Sequence, residues 1–233
     1  TVTLDAAGEV RRTDPAGTST VLETVDPWTT VSRGLAGSDA GAAWAPSGDT
    51  LSFMDPAGTV TSVTLSGLGE DTITSVATGG GFVAAATAGG AVISWRPGEQ
   101  PTRLGTMGAT VFSLAAYGGN VLALSADWRA RLFTSAGETL DVSDSAMFFM
   151  GAAMSADYAV WAEANGTLAS GVAPDSYNDT ELFVLSLKTG KVSSPIPADG
   201  QQGFPALSGN RLVWQDSGRG GDDIRTVELE AGP

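Results

Sequence analysis

The side chains that most often carry out chemistry are missing from this sequence, which contains no histidine and no cysteine. A serine or threonine nucleophile therefore has no imidazole base. Zinc or copper sites built on imidazole or thiolate are excluded, as are disulfides. Carboxylates remain as the abundant acid–base groups, 26 Asp and Glu in all. Asp49, Asp127, Asp157, Glu163 and Asp216 fall near the ends of hydrophobic runs, where folding would allow them to converge. Paired carboxylates are what a glycoside hydrolase uses, one of them held protonated by burial. No spacing here singles out a pair, so no catalytic residue is assigned and the reading leans away from an enzyme. Ser38-Asp39-Ala40-Gly41-Ala42-Ala43-Trp44 is a distorted echo of a sialidase Asp box and lacks its spacing.

Among ligands for a hard cation, Asp175, Asn178, Asp179 and Glu181 lie in one oxygen-rich stretch, and Asp216, Asp222 and Asp223 in another. Calcium needs only oxygen donors, but neither set has the Asp-x-Asp-x-Asp-Gly order of an EF-hand. The preferred reading is a solvated acidic loop, with calcium left open and no other cofactor implied. Aromatic residues suit binding surfaces. Trp28 and Trp128 stand in turn-like surroundings and Tyr177 in the long polar stretch, so these three are the contact candidates. Trp161 and Trp214, with Phe53 in the corresponding place, recur by repeat position and read as core. Trp44 also reads as packing.

The elements that must position these residues are short strands. Apolar residues do not recur at helical spacing over any long window. Instead a strand, a Gly-containing turn and a second strand recur. Val2–Leu4 leads to Glu9-Val10 through Asp5-Ala6-Ala7-Gly8, and Leu51–Met54 leads to Val60 through Asp55-Pro56-Ala57-Gly58. Further hairpins join 82–87 to 91–95, 121–125 to 130–133, 158–163 to 165–168, and 211–216 to 224–227. Their mean spacing is about 42 residues, the period of propeller blades. Small-residue strands such as 43–45, 115–116 and 152–153 precede the hairpins, as crowding on an innermost strand requires. Residues 20–23, 101–104, 139–142 and 191–193 supply outer strands. The reading is an all-β fold, a β-propeller of four-stranded antiparallel blades within a single domain, 1–233. Six blades with ragged ends are expected, or five if residues 1–25 only complete the last one. The sequence opens mid-strand at Thr1, from which a longer precursor is expected, its missing part leaving room for a signal or an anchor.

Hydrophobic residues make up 42% of the chain, enough for a core and against disorder. The net charge of −14, with only 12 Lys and Arg, leaves no basic stripe for nucleic acid. Acidic lipid headgroups would repel such a surface, and no run reaches the ~18 apolar residues needed to insert in a membrane. A neutral or basic protein partner, or a cell-envelope ligand, is compatible.

The segment Ala43-Trp44-Ala45-Pro46-Ser47-Gly48-Asp49 followed by Thr50–Phe53 resembles the Trp-Ser-Pro-Asp-Gly turn of TolB-like bacterial propellers, with Ser47 in place of Asp. Residues 181–190 together with 205–216 resemble the TolB-like repeat of bacterial surface proteins. The resemblance implies the propeller fold and an exported setting, the periplasm or cell surface of a bacterium. Nothing here corresponds to the α/β domain that precedes the propeller in TolB proteins. The function expected is a non-catalytic, extracytoplasmic binding scaffold. The alternatives are a carbohydrate-active propeller working through carboxylates, and a sensor ectodomain.

Overall fold

The computed structural model describes residues 1–5, 7–25, 35–65, 72–143, 146–165, 180–194, 201–217 and 223–230. Within them the chain forms six antiparallel sheets. Sheet A contains β1 (Val2–Leu4), β2 (Glu9–Thr13) and β3 (Ser19–Thr24). Sheet B contains β4 (Leu35–Ser38), β5 (Gly41–Trp44), β6 (Thr50–Met54) and β7 (Val60–Thr64). Sheet C contains β8 (Ile73–Gly79), β9 (Phe82–Thr87), β10 (Ala91–Trp95) and β11 (Thr102–Thr106). Sheet D contains β12 (Val111–Tyr117), β13 (Asn120–Ser125), β14 (Ala130–Phe133) and β15 (Thr139–Ser143). Sheet E contains β16 (Ala146–Met154), β17 (Tyr158–Asn165), β18 (Glu181–Ser186) and β19 (Val192–Ser193). Sheet F contains β20 (Gln202–Ser208), β21 (Arg211–Asp216) and β22 (Asp223–Glu228). Each sheet is a simple meander.

The chain divides into two compact units, Thr1–Phe112 and Ser113–Pro233. In the first, Leu51, Phe53, Ile73, Val83, Ile93 and Trp95 form the core where sheets B and C pack. A smaller cluster of Val10, Val25, Trp44 and Met54 joins sheets A and B. In the second unit, Leu122, Leu124, Phe149, Trp161 and Leu185 pack sheet D on sheet E. Val160, Leu182, Leu212 and Trp214 pack sheet E on sheet F. Each buried aromatic or aliphatic side chain contributes roughly 1.5–3 kcal/mol through removal from water. Among the described residues no helix is long and apolar enough to cross a membrane.

Six blades with ragged ends were expected, and sheets A and F, at the two ends of the chain, have three described strands each. Two features of the repeat differ from the sequence reading. β17 runs on through Asn165 and pairs with β18, Trp161 lying opposite Phe183, while residues 166–168 of the expected hairpin lie outside the described residues. Phe53 is the fourth residue of β6, a third strand, so it does not correspond to Trp161 and Trp214. Those two are each the fourth residue of a second strand, and their equivalent in sheet B is Trp44.

The turns show how sheet A maps onto the others. Asp14-Pro15-Ala16-Gly17-Thr18, between β2 and β3, is identical in sequence to Asp55-Pro56-Ala57-Gly58-Thr59, between β6 and β7. In both, the Asp Oδ1 accepts from the Thr N–H, at 2.9 and 2.8 Å. The Asp5 turn shares the internal bonds of the Asp55 turn, with Gly8 N–H donating to Asp5 O as Gly58 N–H does to Asp55 O, but its place in the sheet is that of the turn between β9 and β10. Val25 N–H donates to Gly8 O as Met107 N–H does to Gly90 O. Thus β1, β2 and β3 take the second, third and fourth places of a sheet.

Candidate functional site

In a meander the chain comes back, at the turn between second and third strands, to the end of the sheet where the first strand began. Call this the leading end. The sixth residue of the second strand lies there, and in four sheets it is a buried polar group: Thr87, Ser125, Glu163 and Asp216. A polar atom out of water needs a partner, and each of the four has one. Thr87 Oγ1 accepts from Ala91 N–H at 3.2 Å. Ser125 Oγ donates to Asp127 Oδ1 at 2.5 Å. Glu163 Oε2 accepts from Trp161 Nε1 at 2.7 Å, and Asp216 Oδ2 pairs with Arg225 Nε at 3.0 Å.

Ser125 and Asp127 set the geometry of the turn that carries Trp128. Ser125 N–H donates to Arg129 O and Trp128 N–H to Ser125 O, while Arg129 Nε lies 3.5 Å from Asp127 Oδ2. In the equivalent turns of sheets A and C the third residue after the first is glycine, Gly8 at φ 79° and Gly90 at φ 82°. Sheet D places Trp128 there at φ 61°, with the residue 41% exposed. A bulky side chain in the left-handed region costs about 1–2 kcal/mol relative to glycine.

The one other described non-glycine residue with positive φ is also an exposed aromatic. Phe204, at φ 50° and 60% exposed, lies near the leading end of sheet F. It belongs to a bulge between Gly203 and Ala206, opposite Trp214. Sheet E has a matching bulge between Phe149 and Ala152. The two bulges nest: a Cβ on Gly151 would stand 3.5 Å from Phe204 Cα and Pro205 Cδ, and one on Gly203 would stand 3.0 Å from Met150 Cε. Thr180 Oγ1 contacts Met150 Sδ at 3.6 Å beneath them. Bulges re-aim side chains, and strain of this kind gathers at functional sites.

The candidates from sequence are placed unevenly. Trp128 stands out at a turn. Trp28, Tyr177, Asp175, Asn178 and Asp179 lie outside the described residues. Glu181 is exposed at the start of β18, directly across from Glu163. Among the described residues no three acidic side chains gather closely enough to hold a metal ion. Asp157 is at the turn between β16 and β17, the opposite end of sheet E from Glu163. Three carboxyls are held below the usual range: Asp5 by the Glu9 N–H, Asp49 by the Ser47 hydroxyl, Asp141 by Arg131. These shifts are opposite in sign to the one a general acid requires. Phe204 escaped the sequence reading. Its signal was Gly203-Phe204-Pro205, since proline lacks the N–H that a regular strand position would use.

No protein-family model matches the chain, and no curated protein matches it. Among solved structures, the computationally designed β-propeller Ika8 is similar over 98% of this chain and 67% of its own, at 16% identity and a TM-score of 0.62. Fainter likenesses are to the designed protein Ika4, over 70% of this chain and 94% of its own at 16% identity and TM-score 0.48, and to the N-terminal domain of Nup159, over 84% and 74% at 12% identity and TM-score 0.40. The likeness to Ika8 shows the fold alone. The chain is all-β and of the β-propeller class, built from six antiparallel sheets of three or four strands.

Proposed function

We propose that this propeller is a non-catalytic binding scaffold whose recognition surface is the leading end of the second unit, with Trp128 and Phe204 as its aromatic anchors. The observation that carries this reading is the coincidence of strain and exposure in those two residues. Folding alone favours glycine at Trp128 and a regular strand at Phe204, so the aromatic side chains answer another demand. Exposed Trp and Phe supply large contact area at little entropy cost, as binding anchors do.

The ligand class is a neutral or basic protein surface or a cell-envelope polymer, in keeping with the acidic chain. The TolB-like turn at Trp44–Asp49 and the repeat in residues 181–216 support an exported bacterial setting. The buried carboxylates Glu163 and Asp216 serve Trp161 and Arg225, which supports a structural role for them over hydrolysis.

The test is an array of envelope glycans, peptidoglycan fragments and basic peptides, probed with the protein and with Trp128→Gly and Phe204→Gly. Specific capture lost about tenfold or more in both variants supports the reading. Capture unchanged in both, or conversion of a glycan to shorter products, overturns it, the latter in favour of a carbohydrate-active propeller.

A further inference from the structure

The seam between sheets D and E opens at its outer rim, at the end of both sheets opposite the leading end. Directly opposed residues of an antiparallel pair share a face. On sheet D, Leu122, Leu132 and Leu140 form such a row across β13, β14 and β15, facing sheet E. On sheet E the row is Ala159, Leu185 and Val192, facing sheet D. The inner members are buried, but Leu140 is 46% exposed and Val192 40%. At the seam of sheets B and C the places of Leu140 and Leu185 hold Thr61 and Trp95. The Trp95 indole spans to the turn beyond it, donating to Glu99 O at 3.1 Å. With leucine in that place, the seam of sheets D and E keeps a groove of about 630 Å³, walled by Leu132, Leu140, Leu185 and Leu187. The turns of both sheets at this end all lie within the described residues, and none fills it.

The charge around the groove is unlike that of the rest of the molecule. The chain carries 26 acidic residues and only two lysines. Both lysines, Lys188 and Lys191, stand on the turn between β18 and β19, on either side of Gly190 in the groove wall. Both are exposed, and neither is in an ion pair among the described residues. Glu138, on the opposite lip, is the one ionisable residue of the wall. The groove is thus apolar along its floor, positive at the sheet E lip and negative at the sheet D lip. Moreover, β15 and β19 are the outermost described strands of their sheets, so each leaves a row of backbone N–H and C=O groups unpaired. An extended peptide can use such a row, whereas a lipid chain cannot.

We infer that this groove docks a short extended segment of a partner protein, with leucine- or valine-sized side chains in the wedge and aspartate or glutamate over Lys188 and Lys191. Glu138 excludes an acid at the other lip, which fixes the direction in which the segment lies. This site is independent of Trp128 and Phe204, which stand at the leading end.

The probe is an array of peptides that combine two Leu or Val residues with a flanking pair of Asp or of Lys. The aspartate members are expected to bind about tenfold or more tighter than the lysine members. The double variant Lys188→Glu, Lys191→Glu should reverse that order. Leu140→Arg should abolish capture, whereas Val60→Arg, at an equally exposed apolar residue on the outer strand of sheet B, should not. The chain has no cysteine, so Leu140→Cys reports on the groove alone. Its thiol should react readily with a maleimide in the free protein, and about tenfold more slowly once an aspartate peptide is bound in excess. Failure of every member to bind overturns the inference, and so does a preference that the lysine reversal leaves unchanged. Equal loss with Leu140→Arg and Val60→Arg also overturns it. A Leu140→Cys thiol already shielded in the free protein overturns it in favour of a second copy or another segment of the chain.

Discussion

Trp161 and Trp214 occupy the same register position in neighbouring sheets, yet their indole N–H groups differ in fate. Trp161 Nε1 donates to Glu163 Oε2 at 2.7 Å. Trp214 Nε1 is buried with no partner among the described residues, although an acid, Asp216, stands at the equivalent position two residues on. Asp216 is one methylene shorter than Glu163 and is drawn to Arg225 across the strand. Sheets E and F both carry an acid at this position, and side-chain length decides whether the indole is capped.

Asp216→Glu should lengthen the reach and cap Trp214, adding about 1 kcal/mol. For a domain of this size that corresponds to a rise of roughly 2–4 °C in Tm. A calorimetric melt that shows a fall would mean the Arg225 pair matters more than the orphaned indole. In the same series Trp161→Phe should destabilise by about 1–2 kcal/mol more than Trp214→Phe, since only the first removes a made hydrogen bond.

Sheets A and B are joined by a similar cap. Glu23 Oε2 accepts from Trp44 Nε1 at 2.7 Å and from Ser52 Oγ at 3.3 Å. Glu23→Ala leaves a fully buried indole without that acceptor and should cost about 1–3 kcal/mol, read from urea midpoints. Glu23→Gln keeps an acceptor oxygen and should recover most of the loss.

The strained aromatics predict an inverted stability pattern. Trp128→Gly and Phe204→Gly replace residues at φ 61° and 50° with the one residue at ease there. Relief of about 1–2 kcal/mol per site offsets the lost contacts. Both variants should melt within a few degrees of the parent or above it. A drop of 10 °C would show that these side chains are structural.

The pH response follows from carboxyls held below their ordinary values. Asp5 and Asp49 are stabilised as anions by hydrogen bonds, and Asp141 by Arg131. Because the folded-state pKa is depressed, their stabilisation is complete above the unfolded carboxyl value of about 4 and is lost as pH falls through the lower folded value. Asp141→Asn should therefore be less stable than the parent at pH 7. The gap between the two melts should close as pH falls through that lowered folded value.

The sequence showed the strands clearly because Gly-rich turns and a period of about 42 residues are local signals. Register was harder to read. Asp5-Ala6-Ala7-Gly8 and Asp55-Pro56-Ala57-Gly58 look alike, yet they close different hairpins, and only hydrogen bonds to the following strand tell them apart. Trp128 was legible as a turn aromatic, but its left-handed backbone was not, since that depends on the Ser125 and Arg129 contacts around it. Phe204 was hidden because a bulge has no sequence period. The buried role of Glu163 was equally hidden, as it needs Trp161 on the same strand face.

If Trp128 and Phe204 serve binding and not folding, as proposed, the double variant Trp128→Gly, Phe204→Gly separates the two roles. The most direct measurement pairs a thermal melt with array binding for that variant. A melt at or above that of the parent is expected, together with loss of specific capture. An unfolded or strongly destabilised double variant, or one that binds as the parent does, would contradict it.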